Sequence, residues 1–347
     1  MARRAGVSPK TVSNVVNERP VVRPETRERV LEAIKELDYR PSALARGLVT
    51  RSRRLIGLLL SDITNPAYPE MVEAVASVAR QNGFTLLLCN TARDPAEEGR
   101  YVDLLIEQQV DGAIIATCRL DSQAADLLAQ RGIQVVLFNR RPAKHTVSFI
   151  GVDNVGGAYA ATQHLIELGH RQIAFVRGAE LASTSQEREE GYLRALRANK
   201  IELNPRLILS GDYRAEVARQ AVTELLSGPD RPTAIFAAND VMALGVIDAA
   251  LGLGLRVPED LAVVGFDDIT VASNRLISLT TVNGDLPELA REATELLIQL
   301  ITDPSHPAHR TPIHKILPVS LQIRRTSGGP LRTQARVEAK PSQPLST

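Results

Sequence analysis

The sequence predicts an α/β protein in which a small helical head precedes a two-lobed body of doubly wound, parallel sheets. The 347-residue chain is long enough for two or three domains of about 150 residues each. Residues 1–54 carry 13 Lys and Arg against 6 Asp and Glu, whereas the remainder carries 28 against 34. Beyond residue 54, apolar runs of strand length alternate with amphipathic helices in two successive series.

The head is predicted to contain three helices. Residues 2–5 form a short helix that ends at Gly6, a residue typical of helix C-termini. Ser8 can cap a second helix that covers residues 9–17, with proline at its first position. A third helix is predicted over residues 24–37. Its apolar residues at helical spacing are Val30, Leu31, Ile34 and Leu37.

The first two helices form a helix-turn-helix pattern, in which the second helix lies in the major groove of DNA. Lys10 can donate to guanine and Asn14 can bridge adenine, while the neighbouring hydroxyls suit phosphate oxygens. The DNA contacts predicted on this helix are Ser8, Pro9, Lys10, Thr11, Ser13, Asn14 and Asn17. A solvated basic terminus explains the charge alone equally well, and any amphipathic helix pair can imitate the motif.

The body is predicted from continuous apolar runs, which are typical of parallel strands buried on both faces. The predicted strands are 55–61, 84–90, 112–117, 134–139, 173–178, 234–239 and 262–267. The predicted helices are 69–82, 96–109, 121–131, 155–168, 186–199, 214–227 and 240–251. Two such series indicate two lobes with a cleft between them, and ligands of such sheets bind outside the carboxyl ends of the strands.

Catalytic and metal-binding motifs are lacking. No Walker A, HExxH or GxSxG pattern occurs, and the glycine spacing that begins at Gly252 has no third glycine. Asp267 and Asp268 follow a strand without a nucleophile, so hydroxyl binding is favoured over acid–base chemistry. His306 and its neighbours lie among prolines, which favours a surface loop over a metal site. We therefore expect no enzyme activity, no metal and no cofactor.

The chain is expected to be cytoplasmic. Its longest apolar runs are far shorter than the ~18 residues of a membrane span, and the N-terminus lacks the apolar stretch of a secretory signal. Two cysteines are too few for a disulfide framework. From about Gly328 the chain is rich in Pro, Ser, Gln and Arg, which predicts a disordered tail over 328–347.

The chain resembles the lactose-repressor/galactose-repressor (LacI/GalR) family from its start to about residue 327. The resemblance begins with AGVSPKTVSNVVN (5–17) and TRERVLEAIKELDYRPSALARGL (26–48). It continues through IGLLLSDITNP (56–66), HLIELGHRQIAFV (164–176) and RPTAIFAANDVMALG (231–245). LRVPEDLAVVGFDD (255–268) follows in family order. The resemblance implies an allosteric repressor with a periplasmic-binding-protein-like effector domain, which binds roughly palindromic operator DNA as a homodimer.

The resemblance also implies domain boundaries. They are a head over 1–40, a hinge helix and linker over 41–54, and an effector-binding and dimerisation domain over 55–327. Lobe one would comprise about 55–154 and 283–317, and lobe two about 155–282 and 318–327. Three further DNA contacts are implied at Tyr39, Ala45 and Leu48. Leu48 falls where the family inserts a leucine wedge between base pairs, although it can also be read as a packing residue.

An effector site is carried over onto residues that match the family pattern. It comprises Asn65, Tyr68, Asn139, Arg188, Tyr213, Asn239 and Asp267. Singly, each has an ordinary alternative: Arg188 as a surface charge, Asn239 as a helix cap and Asp267 as a turn former. We expect Arg188→Ala and Asp267→Ala each to abolish the ligand response without unfolding the chain.

Departures from the family bear on the ligand and on the start of the chain. Asn139 stands where many members have aspartate, Ala67 replaces an aromatic residue, and Gly284 replaces a polar contact of some relatives. A roomier, less charged pocket is expected, which takes a sugar, a nucleoside or a related polyol. Met1 stands at the family's valine position, so the start is expected to lie upstream, the alternative being a weakened head.

A periplasmic-type sugar-binding protein is the main alternative function. It would share the two-lobed fold but would need a signal peptide and no basic head. Retention on a heparin or DNA resin would separate the two functions.

Overall fold

The computed structural model describes residues 1–16, 20–37, 53–116 and 118–328 of the chain. The chain divides into two compact units, Met1–Leu55 and Ile56–Thr347. The contacts predicted for Asn17, Tyr39, Ala45 and Leu48 lie outside the described residues. So do the predicted hinge, apart from Arg53 and Arg54, and the predicted tail, apart from Gly328. The predicted domain boundaries therefore stay predictions.

The head contains helices α1 (Ala2–Ala5), α2 (Pro9–Val16) and α3 (Pro24–Glu36). Helix α1 ends at Gly6, whose φ of 65° lies in the left-handed region that glycine adopts most readily. A small core joins the three helices and contains Ala5, Val12, Val15, Val30 and Ala33. Leu31 and Leu37 lie outside this core, with about half of their surface exposed. The predicted apolar face of α3 is therefore wrong at these two positions.

The body contains two six-stranded sheets in which apolar strands form the buried layer. The strands of the first sheet are β1 (Leu55–Leu60), β2 (Thr85–Asn90), β3 (Gly112–Ile115), β4 (Gln134–Phe138), β5 (Ser148–Val152) and β11 (His314–Leu317). The strands of the second sheet are β6 (Ile173–Arg177), β7 (Ile208–Ser210), β8 (Ala234–Ala237), β9 (Ala262–Phe266), β10 (Thr280–Asn283) and β12 (Ser320–Gln322).

The two sheets repeat the same strand order. It is β2-β1-β3-β4-β5-β11 in the first sheet and β7-β6-β8-β9-β10-β12 in the second. The pairs β1–β3, β3–β4 and β4–β5 are parallel, as are β6–β8, β8–β9 and β9–β10, whereas β10–β12 is antiparallel. This order places a topological switch point beside β1 and another beside β6, where ligands of doubly wound sheets bind.

Helices cover the faces of both sheets, as parallel connections require. They are α4 (Ala67–Gln81), α5 (Pro95–Glu107), α6 (Ala124–Gln130), α7 (Asn154–Glu167), α8 (Ser183–Ala198), α9 (Ala215–Ser227), α10 (Asp240–Gly252) and α11 (Leu286–Thr302). Short 3₁₀ turns lie at Pro205–Leu207, Thr270–Ser273, Pro307–His309 and Arg325–Ser327.

The chain passes between the two sheets three times, after β5, after β10 and after β11. The two lobes are thus not simple halves of the sequence, as the family resemblance implied. Sequence analysis did not identify β5, β7, β10, β11, β12 or α11. Strands β7 and β12 have only three residues each, and three of the four residues of β11 are exposed, so none of these three strands is a continuous apolar run.

Candidate functional site

The structure brings the seven predicted effector residues to one cavity between the two sheets. Asn65 and Tyr68 come from the segment that follows β1, and Asn139 directly follows β4. Arg188 projects from α8, while Tyr213, Asn239 and Asp267 follow β7, β8 and β9. Five of the seven therefore lie in loops that follow strands, as the switch-point rule requires, whereas Tyr68 lies in the first turn of α4 and Arg188 lies on α8. Their binding of an effector stays a prediction.

Arg188 is only 3% exposed, so its alternative as a surface charge is wrong. Its Nη2 lies 3.1 Å from Oδ1 of Asp267, and its Nε donates to Oδ1 of Asn154 at 2.9 Å. Its Nη1 donates to the carbonyl oxygen of Ala238, and the guanidinium carbon lies 3.6 Å from the ring centroid of Phe266. Every nitrogen of this guanidinium is therefore engaged before any ligand arrives.

Asp267 is held in a conformation that few residues adopt. Its φ is 112°, in the left-handed half of conformational space, and its backbone N–H donates to the carbonyl oxygen of Val282. Burial raises the pKa of its carboxyl group, against the opposing charges of Arg188 and Arg140. A strained, buried carboxylate at a strand end is typical of a functional site.

Asn239 caps α10 with its side-chain oxygen, and Asn65 closes a turn just before α4 with its own. Oδ1 of Asn239 accepts from the N–H of Met242 at 2.9 Å, and Oδ1 of Asn65 accepts from the N–H of Ala67 at 3.1 Å. The helix-cap alternative for Asn239 is therefore confirmed, although the residue also lines the cavity.

Tyr213 forms a wall of the cavity. Its hydroxyl lies 2.8 Å from Oγ1 of Thr184, and its ring packs so closely on Gly178 that a Cβ there would lie 2.1 Å from a ring atom. The guanidinium carbon of Arg140 lies 4.6 Å from the ring centroid. This contact holds the Arg140 head group over the aromatic face.

Asn139 and Arg140 each keep a buried polar atom without a hydrogen-bond partner in the described part of the chain. These atoms are Oδ1 of Asn139, an acceptor, and Nε of Arg140, a donor. Buried polar groups are almost always paired. Nε of Arg141 and Nε of Arg325 also lack a partner in the described part of the chain, but Asn139 and Arg140 in addition line the cavity. Sequence analysis missed Arg140, although its place directly after Asn139 at a strand end was a usable signal.

Most of the space for a ligand lies next to the predicted residues rather than among them. The cavity that all seven line holds only about 20 Å³, room for about one water molecule. An adjoining cavity of about 330 Å³ shares Asn65, Tyr68, Arg140 and Tyr213 with it. Other residues that line the larger cavity and that sequence analysis missed include Ser61, Thr91, Arg93, Asp94, Glu98 and Asp212.

The three histidines near residue 310 are engaged separately. His306 Nδ1 accepts from the N–H of Ala308, and His314 stacks on His145 with ring centroids 4.9 Å apart. Within the described ranges, no group of three His, Cys, Asp or Glu side chains could hold a metal ion. Among the same residues, no helix is long and apolar enough to cross a membrane.

In the head, α2 presents the predicted DNA contacts on its outer side. Pro9 and Lys10 are exposed, and Thr11, Ser13 and Asn14 are half-buried. Oγ of Ser8 accepts from the N–H of Thr11 at 3.1 Å, which confirms the predicted cap. Val12 and Val15 face inward, so α2 is anchored by one side and open on the other.

Comparison with known proteins matches both units. Residues 1–42 match the family model described as bacterial regulatory proteins, lacI family, and residues 162–327 match the periplasmic binding protein-like domain. The chain is 36% identical over 307 residues to the HTH-type transcriptional repressor PurR of Vibrio vulnificus (strain CMCP6). The alignment covers 88% of this chain and 92% of that relative.

Two solved structures resemble most of the chain. The lac repressor dimer bound to operator and the anti-inducer ONPF is 32% identical, with a TM-score of 0.83 over 94% of this chain and 97% of its own. A complex of the transcriptional regulator CelR with cellobiose is 35% identical, with a TM-score of 0.73 over 94% and 98%.

Proposed function

We propose, from the premise that this chain belongs to the lacI family of bacterial regulatory proteins, that its effector is a small polar molecule bound by the cavity residues between the lobes. The chain is a DNA-binding transcriptional repressor, not an enzyme, and a small effector of its periplasmic-binding-protein-like domain regulates it. The alternative of a sugar-binding protein without DNA binding therefore does not hold.

The observation that carries the proposal is the convergence of polar side chains from both sheets on one cleft. Asn139 and Arg140 are consecutive in the chain and both line the smaller cavity, where they supply an acceptor and a donor without partners in the described part of the chain. Adjacent hydroxyl groups of a sugar, a nucleoside or a related polyol both donate and accept, so they can satisfy both atoms at once. The adjoining cavity of about 330 Å³ falls at the lower end of typical ligand pockets and supports a ligand larger than a few atoms.

The relatives' ligands support the same chemical class. One similar structure contains cellobiose, and a regulator from Enterococcus faecium, 28% identical, contains ribose. For this chain we infer a polyhydroxylated ligand.

We further propose that the chain acts in the cytoplasm as a homodimer on a roughly palindromic operator. A related lac repressor is a dimer bound to its operator. Large apolar side chains of the body that remain exposed in the single chain include Leu88, Leu251, Leu253 and Leu276. Burying them against a second copy would remove apolar surface from water.

A thermal-shift panel tests the effector. The probes are cellobiose, ribose, glucose and adenosine, since a ligand at 100 times its Kd stabilises the folded state by about 2.7 kcal/mol. At least one polyhydroxylated probe should raise the Tm of the full chain, and Arg140→Met should remove that shift.

The matched control is Arg100→Met. Arg100 is an exposed arginine of α5 that pairs with Glu97 of the same helix, so the shift should persist in this variant. The proposal is contradicted if no probe shifts the Tm, or if both variants respond like the parent chain.

A further inference from the structure

Arg93 joins the two lobes at the rim of the larger cavity. It lies in the turn that follows β2 of the first sheet. Its Nη1 donates to the carbonyl oxygen of Asp212 at 2.7 Å, and its Nη2 donates to that of Tyr213 at 3.2 Å. Both acceptors follow β7 of the second sheet, so one guanidinium bridges the two sheets.

The other side of the guanidinium is fixed within the first lobe. Nε and Nη2 both donate to Oδ2 of Asp62, at 3.2 and 2.9 Å. Burial by itself would raise the pKa of Asp62. Hydrogen bonds from Thr64 and the charge of Arg93 nevertheless hold this pKa below its ordinary value. The contacts with Asp62 therefore orient the guanidinium group of Arg93 for its hydrogen bonds to the second lobe.

The two turns that Arg93 joins are both held in unfavourable backbone conformations. Ala92 and Arg93 have φ of 49° and 65°, and Asp212 and Tyr213 have φ of 49° and 55°. Side chains with a Cβ adopt this region rarely, and they persist there only when surrounding contacts hold them. Arg93 donates its hydrogen bonds to the backbone carbonyl oxygens of the strained turn in the second lobe.

Tyr213 connects this bridge to the cavity, because its carbonyl binds Arg93 while its ring lines both cavities. We propose that Arg93 is a positioning residue, which sets the place of Tyr213 and acts as a latch that favours the closed arrangement of the lobes. The inference rests on the proposed function, since it concerns the cleft assigned to the effector. A ligand that contacts Tyr213 would thereby bias lobe closure.

Arg140 also reaches Tyr213 from the first lobe, but it contacts the aromatic ring, whereas Arg93 holds the backbone carbonyl oxygen. Two further contacts between the lobes do not involve Tyr213. Arg141 pairs with Glu187 at 2.7 Å, and the N–H of Leu120 donates to the carbonyl oxygen of Leu181 at 2.8 Å. Loss of Arg93 should therefore loosen closure and shift Tyr213 together.

The test measures lobe separation in the full chain without any effector. Spin labels are attached through Asp103→Cys in α5 and Glu224→Cys in α9, two exposed positions on different lobes, and their distance distribution is measured by pulsed electron paramagnetic resonance. Burial raises the pKa of Cys89 to about 11 and of Cys118 to about 12, so the native thiols should resist labelling. Fluorotyrosine incorporation with ¹⁹F spectroscopy reports on Tyr213, whose signal is assigned by its loss in Tyr213→Phe.

Arg93→Met should raise the ratio of open to closed chains about tenfold, the value expected for losing charged hydrogen bonds at a partly exposed site. It should also shift the Tyr213 signal. Arg93→Lys, which cannot hold two carbonyls and a carboxylate at once, should give a smaller change of the same sign. If Arg93→Met fails to fold, the measurements on Arg93→Lys test whether Arg93 acts as a latch.

Arg100→Met, made in the same lobe, should leave both readouts unchanged. Parent-like distances and an unshifted Tyr213 signal in the Arg93 variants would overturn the latch, as would equal changes in Arg100→Met. Since no effector is present, either result is independent of the thermal-shift panel. A failed panel and a failed latch are thus distinguishable.

Discussion

Arg188 and Asp267 form a pair that depends on both partners. With side chains 4% and 12% exposed, they lie 3.1 Å apart in a region where a lone charge is poorly solvated. Asn154 and the carbonyl oxygen of Ala238 complete the shell around the arginine. From the sequence, we expected that either residue could be replaced without unfolding the chain. Because of these contacts, we now expect each replacement to destabilise the fold.

Arg188→Met should lower the free energy of unfolding by about 3–5 kcal/mol, because it leaves Asp267 buried without its counter-charge. Arg188→Met combined with Asp267→Asn should recover much of the loss, since the unpaired charge is gone. Urea unfolding of the three proteins measures both effects. Equal stability of the single variant and the parent chain would contradict the structural role of the pair.

Asp240 is a second buried carboxyl group, and it lies behind the cavity. Its oxygens accept from Oγ1 of Thr281 at 2.5 Å and from the N–H of Ile269 at 2.9 Å. Burial, together with the charge of Asp267, raises its pKa well above the ordinary value. Because the folded-state pKa is the higher one, its stabilising contribution is complete below the unfolded-state pKa and is lost as the pH rises through the folded-state pKa.

Asp240→Asn should therefore stabilise the body at pH 7.5, by about 1–3 kcal/mol, since an amide can accept from Ile269 and donate to Thr281 without a charge. The advantage over the parent chain should shrink as the pH is lowered towards 4. Urea unfolding at several pH values measures this dependence. A pH-independent difference would show that the carboxyl group is not the cause.

At the scale of single elements, one residue stabilises α2 and a different residue is one of its predicted DNA contacts. Ser8 caps the helix through the N–H of Thr11, whereas Lys10, two residues further along the chain, is exposed. Both side chains lie at the start of one helix. Ser8 affects the folding equilibrium, whereas Lys10 is predicted to affect DNA binding.

Ser8→Ala should destabilise the head by about 1 kcal/mol, the usual effect of losing an N-cap, and should speed amide exchange over residues 9–16 of the full chain. Lys10→Ala should leave exchange unchanged. It should weaken binding to a DNA site selected from random sequence, and reduce the salt dependence by about one phosphate contact if it binds the backbone. Faster exchange in Lys10→Ala, or none in Ser8→Ala, would contradict this division.

For the molecule as a whole, half-buried histidines predict sensitivity to acid. Burial lowers the pKa of His145, His164 and His170. Two of them are also tied to hydroxyls: His164 lies 2.9 Å from Oγ of Ser327, and His170 lies 2.9 Å from Oγ1 of Thr233. A lowered folded-state pKa means that the stabilising contribution is present above the unfolded-state pKa of about 6.5 and is lost as the pH falls through the folded-state pKa.

The contribution of these histidines to the free energy of unfolding should thus decrease between pH 7.5 and pH 5. The raised pKa values of Asp240 and Asp267 act in the opposite direction, so the histidine contribution is measured as the difference between the parent chain and His164→Gln in denaturant titrations at these pH values. A difference that does not change with pH would contradict the effect of burial on the pKa of His164.

The sequence by itself determined the class of fold, the helical head and most of the parallel strands. Strands covered on both faces must be apolar throughout, so β1, β4 and β9 are visible as continuous runs without tertiary information. The family pattern also identified seven effector residues that all line one cavity, because each matched motif lies at a strand end or on a helix that faces the cleft.

Only the tertiary structure decided the edge strands β7, β11 and β12 and the roles of Arg93 and Arg140. Strand β11 is largely exposed, so its sequence lacks the apolar pattern that reveals a buried strand. An arginine in a turn resembles any solvated charge, and nothing local distinguishes Arg93 from Arg119, whereas the place of Arg140 just after a strand was a usable signal. Their roles arise from approach between segments more than seventy residues apart, as in the contacts of Arg93 with Asp212 and of Arg140 with Tyr213, and such proximity is set by packing of the lobes rather than by local sequence.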